Sequence, residues 1–103
     1  MRLAAVAALF AGLGEAELNH WIARGWIAPD IEDDGPSFHD IDLARIRLIL
    51  DLRQQMRIED ETIPLILSLL DQIYELRGQL RSVIRAVEAQ PDPVREAIRA
   101  VLR

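Results

Sequence analysis

The residues able to do chemistry in this chain are carboxylates, guanidiniums, two imidazoles and one phenol. Cysteine is absent, which excludes disulfides and thiolate metal sites and suits a reducing compartment. His20 and His39 lie far apart, so neither has the neighbouring ligand that a metal site needs, and no metal or other cofactor is expected. No glycine-rich phosphate loop or metal-spaced cluster occurs. Adjacent carboxylates such as Asp60 and Glu61 read as ordinary charge rather than as a general acid/base pair. An enzyme is therefore not expected. What remains is charge used for recognition. The formal net charge is −5, every fixed cation is Arg, and there is no Lys. Up to and including Arg57, nine acids oppose six bases; beyond it, eight oppose six. Neither part is basic. Generic binding to DNA or to an anionic membrane draws on Lys and Arg, and is disfavoured here.

These charges must be positioned by helices. Over Ile63 to Val87 a seam appears at helical spacing: Ile66, Leu69, Ile73, Leu76, Leu80, Val83 and Val87. The steps alternate three and four, a heptad pattern held over roughly three repeats. Such a helix is on the order of 37 Å long. Leu65, Leu67, Leu70, Tyr74 and Ile84 add apolar surface outside the seam, so the helix is expected to pack twice, on its own domain and on a second copy of itself. Arg77, Arg81 and Arg85 cover the remaining faces.

Ahead of it, Leu3 to Phe10 predicts a short Ala-rich helix ended by Gly12 and Gly14. With Met1 and Arg2 this stretch has the look of a short signal peptide. It leads straight into another helical pattern that needs it as a packing partner, so retention in the cytoplasm is expected. It is too short to span a bilayer. Glu15 to Arg24 predicts a second helix with Leu18, Trp21 and Ile22 on one face and Gly25 at its C-terminal end. Two short helices joined by a glycine turn are a helix-turn-helix signature. Trp21 and Trp26 are expected in the core. Trp26 to Pro29 reads as one short strand, Asp30 to Pro36 as a turn, and Ser37-Phe38 as a returning strand, together a small wing. Asp40 is expected to cap a helix from Ile41 to about Met56 that buries Leu43, Ile46, Ile49 and Leu50. Asp42, Arg45, Arg47, Asp51 and Arg53 are expected on its solvent side. After the long helix, Pro91-Asp92-Pro93 marks a break and restart, with Asp92 as the cap and Pro93 the first helical residue, and Val94 to Leu102 a last short helix folding back on the dimer helices.

The order of these elements resembles the MerR-like winged-helix group, and within it the chaperone modulator family CbpM. The resemblance rests on Trp21 with Gly25-Trp26-Ile27-Ala28-Pro29, on Phe38 with Asp42 to Ile49, and most strongly on Ile63 to Arg77 with its Leu-Leu-Asp-Gln-Ile-Tyr segment. It covers the chain up to about Arg85. It implies a mainly α fold. Residues 1–57 form a winged helix-turn-helix with a small acidic wing; residues 58–103 form a long coiled-coil dimerisation helix and a short C-terminal helix. It further implies a cytoplasmic homodimer that binds the J-domain of a CbpA-type co-chaperone and inhibits its co-chaperone and DNA-binding activities. J-domains carry a basic helix that docks on the chaperone they serve, and an acidic surface suits it. The residues expected to meet that helix are Asp60, Glu61, Asp71, Tyr74 and Glu75. The alternative is a MerR-like transcriptional regulator whose dimer sets two winged helices on a palindromic site. Against it, the second helix offers Glu15, Glu17, Asn19 and His20 with only Arg24, and the wing offers Asp30, Glu32, Asp33 and Asp34.

Overall fold

Trp21 shows how the first part of the chain closes on itself. It lies on the buried face of α2 (Glu15–Ala23), three residues after Leu18, and both side chains are fully buried. The helix ends where Gly25 takes a left-handed φ of +77°. There the Gly25 N–H donates to the Ile22 carbonyl at 3.0 Å and the Trp26 N–H to the Trp21 carbonyl at 2.9 Å. This is a Schellman closure, and it folds Trp26 back over Trp21 with ring centroids 5.9 Å apart. A residue with a Cβ would be strained at Gly25, so the turn and the indole pair depend on that glycine.

The computed structural model describes residues 1–103. It is mainly helical: α1 (Leu3–Leu9), α2, α3 (Asp40–Gln54), α4 (Ile63–Glu88) and α5 (Asp92–Leu102), with one two-stranded sheet between α2 and α3. No helix is long and apolar enough to cross a membrane. The chain divides into two compact units, Met1–Leu65 and Ile66–Arg103. The core of the first gathers Val6, Phe10, Leu13, Leu18, the two tryptophans, Ile27, Phe38, Ile46, Ile49, Leu50, Leu52 and Ile63. Ile46, Ile49 and Leu50 recur at three and four residues, the stripe that a surface helix turns inward. Leu43 is only half-buried.

The wing lies later in the chain than the sequence suggests. β1 (Asp30–Glu32) pairs antiparallel with β2 (Gly35–Ser37), Ile31 opposite Pro36, across the turn Asp33-Asp34. Trp26 and Ile27 are core residues. The Trp26 N–H is committed to the helix closure and Pro29 has none, so Trp26–Pro29 cannot supply a ladder. The chain start adds to the sheet: Arg2 bridges Ser37, and the Phe38 N–H donates to the Met1 carbonyl at 2.7 Å.

Two further expectations are corrected at the start of α3. The capping residue is His39, not Asp40, and Asp42 is buried rather than on the solvent side. The Asp42 carboxylate reaches back to accept the His39 N–H at 2.8 Å, which is why its burial is tolerated. At the far end of α3, Arg57 stands in the left-handed region at φ 54°. The Ile58 N–H there reaches the Leu52 carbonyl at 2.8 Å.

In the second unit the helices are regular but cover little. α4 runs 26 residues, about 39 Å. Within Ile66–Arg103 only Leu67 is buried. At α5, Pro91 is the capping residue and Asp92 already helical, one step earlier than expected.

Candidate functional site

The arginines of the first unit form its electrostatic frame. Arg53 leaves α3 and is held by the Glu17 carboxylate of α2 and by Asp60, whose Oδ1 lies 3.0 Å from Nε. Its guanidinium also sits 5.9 Å from the Trp21 ring centre. Burial pushes Arg53 down, but bonding to Glu17 and the charges of Glu17 and Asp60 outweigh it, so its pKa lies above its ordinary value. It stays charged wherever the fold survives. Arg24 lies over the Trp26 ring at 5.3 Å and reaches Asp60 at 3.8 Å. Arg45 donates to the Trp26 carbonyl, and Arg47 covers the Phe10 ring at 5.0 Å. In the wing, Arg2 pairs with Glu32 at 2.6 Å, lies 3.9 Å from Asp34 and donates to the Gly35 carbonyl.

These side chains correct the expectation that Arg45 and Arg53 lie on the solvent side: both are half-buried. Their contacts with Trp26, Trp21 and Glu17 join residues 19, 32 and 36 positions apart, which helical periodicity does not encode. One signal was present: a chain that uses Arg and never Lys favours planar cations that stack on rings and bond in two directions. The two histidines play modest parts. His39 contacts Asp30 at 2.6 Å and ties β1 to the start of α3, while His20 is exposed on α2.

Asp60 and Glu61 line one cleft of about 500 Å3 together with Arg24, Trp26 and Pro64. Their roles differ. Asp60 is committed to Arg53 and Arg24, whereas Glu61 is exposed and has no ion pair. Asp71, Tyr74 and Glu75 stand together on one turn of α4, all exposed. The ring of Tyr74 is accessible beside the two carboxylates. Among the seam residues, Leu69, Ile73, Leu76, Leu80 and Val83 are exposed in the single chain, and Ile66 and Val87 half-exposed. Arg77, Arg81 and Arg85 have no carboxylate partner; the Nε groups of Arg81 and Arg85 reach only the carbonyl four residues back, at 3.4 Å.

The molecule therefore offers two kinds of surface. The helix-turn-helix has most of its cations bound to its own chain, and the long helix displays exposed apolar residues. Comparison with curated proteins and with solved structures gives no match. Residues 9–85, from the end of α1 to near the end of α4, match the family described as MerR HTH family regulatory protein. With that match spanning the helix-turn-helix, the wing and most of the long helix, the chain belongs to the MerR helix-turn-helix family of regulatory proteins.

Proposed function

We propose that this MerR-family chain regulates by docking onto another protein, and that the partner is the J-domain of a CbpA-type co-chaperone, whose co-chaperone and DNA-binding activities it inhibits. The observation that carries the reading is the fate of the arginines. Five of the six in Met1–Leu65, namely Arg2, Arg24, Arg45, Arg47 and Arg53, are engaged by carboxylates, carbonyls or rings of the same unit. A duplex approaching α2 and the wing meets Glu15, Asp33 and Asp34 with few cations able to turn toward phosphate. A basic helix is suited by the charge of the carboxylates: Glu61 at the cleft, and Asp71 and Glu75 beside the Tyr74 ring on α4. The chain acts as a cytoplasmic homodimer through Ile66, Leu69, Ile73, Leu76, Leu80, Val83 and Val87, and inhibits by occupying the J-domain helix that the chaperone needs.

The family match supports a second reading equally well, a DNA-binding regulator in which the helix-turn-helix keeps its usual role. Charge reversal separates the two. Asp71→Arg with Glu75→Arg is expected to weaken J-domain binding about tenfold or more in calorimetry, with the dimer and helix content intact. Unchanged J-domain affinity removes these residues from the site. Sequence-specific binding of a duplex by the unaltered chain favours the regulator.

A further inference from the structure

The cleft beside Asp60 is lined by Arg24, Trp26, Asp60, Glu61 and Pro64 in a volume of about 500 Å3. All of these belong to Met1–Leu65. Its charges do not balance. Arg53 is held by Glu17 and Asp60, and Arg24 reaches Asp60 only at 3.8 Å. Glu61 is exposed and has no ion pair. Three carboxylates, Glu17, Asp60 and Glu61, thus share two guanidiniums, Arg24 and Arg53, and the network is one cation short. Arg57 and Glu59 line the neighbouring cleft, and their opposite signs leave that deficit unchanged.

The chain itself shows which cation this lining suits. Arg24 lies over the Trp26 ring at 5.3 Å and turns its guanidinium toward Asp60, so indole and carboxylate serve one planar cation together. Pro64 adds apolar wall against which an aliphatic stem can pack. An ammonium is compact and strongly hydrated and gains little from such walls, whereas a guanidinium is flat, weakly hydrated and able to bond in two directions. Resting on the docking reading above, we infer that this cleft is a receptor for one arginine side chain of the partner. That side chain enters beside Arg24, packs its stem on Pro64 and donates from its guanidinium to Glu61. The partner is thereby required to present an exposed arginine at this point, not basic charge in general.

A small probe tests the cleft without the partner. The 15N-labelled chain is titrated at fixed ionic strength with Nα-acetyl-arginine amide and, separately, with Nα-acetyl-lysine amide, while the Trp26 indole N–H and the Glu61 amide are followed by NMR. Saturable shifts of both signals are expected, with the arginine probe bound about threefold or more tighter than the lysine probe. Glu61→Gln, an exposed change, is expected to weaken the arginine probe about threefold or more, and Glu59→Gln, outside this cleft, to leave it unchanged. No saturable shift, equal binding of the two probes, or indifference to Glu61→Gln overturns the receptor. With the whole J-domain, Glu61→Gln is expected to weaken binding about tenfold, and an unchanged affinity overturns the cleft as the place where the partner's arginine enters. A J-domain that does not bind the unaltered chain overturns the docking reading itself, and the probe titration tells that failure apart from failure of the cleft.

Discussion

The two units solve the same problem in opposite ways. Met1–Leu65 holds twelve carboxylates against six arginines, and it binds most of those arginines into its own frame over a closed core. Ile66–Arg103 is near balance, with five acids and six arginines, and it leaves Arg77, Arg81 and Arg85 unpaired beside exposed leucines. The first unit is finished by intramolecular contacts. The second leaves most of its apolar residues exposed.

The contrast can be broken from either side. The largest effect is expected in the first unit. Trp21→Ala removes a fully buried indole and its partner contact with Trp26, and is expected to cost about 3–5 kcal/mol in denaturant unfolding followed by the remaining Trp26 fluorescence. A loss under about 1 kcal/mol contradicts a closed core. Next, Ile73→Glu puts a charge into the seam. Sedimentation should show the dimer weakened about a hundredfold, with no change in the unfolding of the first unit. If both change together, the units are not separately finished. Arg53→Met keeps the stem over Trp21 and removes the charge from Glu17 and Asp60. A loss of about 1–2 kcal/mol is expected, the range for a partly buried cation with two carboxylate partners. The smallest effect has the opposite sign. Arg57→Gly relieves a left-handed backbone and is expected to stabilise the first unit by about 1 kcal/mol in denaturant unfolding.

Much of this was legible in the chain itself. The α4 span follows from a heptad period that only a helix satisfies, and the burial of Trp21 and Trp26 follows from their place beside Leu18 and Gly25. Local spacing failed where hydrogen-bond and ion-pair partners, near and distant, decide. The wing strands moved because the Trp26 N–H is already bonded to Trp21. Asp42 went inward because the His39 N–H was available to it. The arginine frame was invisible because Arg53 draws its partners from α2 and from the connection before α4. The candidate site is legible only as residue type: Asp71, Tyr74 and Glu75 share a turn by spacing alone, whereas the cleft shared by Asp60 and Glu61 needs Arg24 and Trp26 brought from α2 and its exit.

The most direct measurement is a calorimetric titration of the unaltered chain with the J-domain of a CbpA-type co-chaperone from the same cell, at low and at high salt, beside a titration with duplex DNA. Docking of a basic helix onto acidic residues of this chain gives micromolar or tighter J-domain binding that weakens with salt, and no comparable uptake of DNA. Tight, salt-sensitive binding of DNA with no J-domain binding at either salt contradicts the account, and returns the helix-turn-helix to the role of reader.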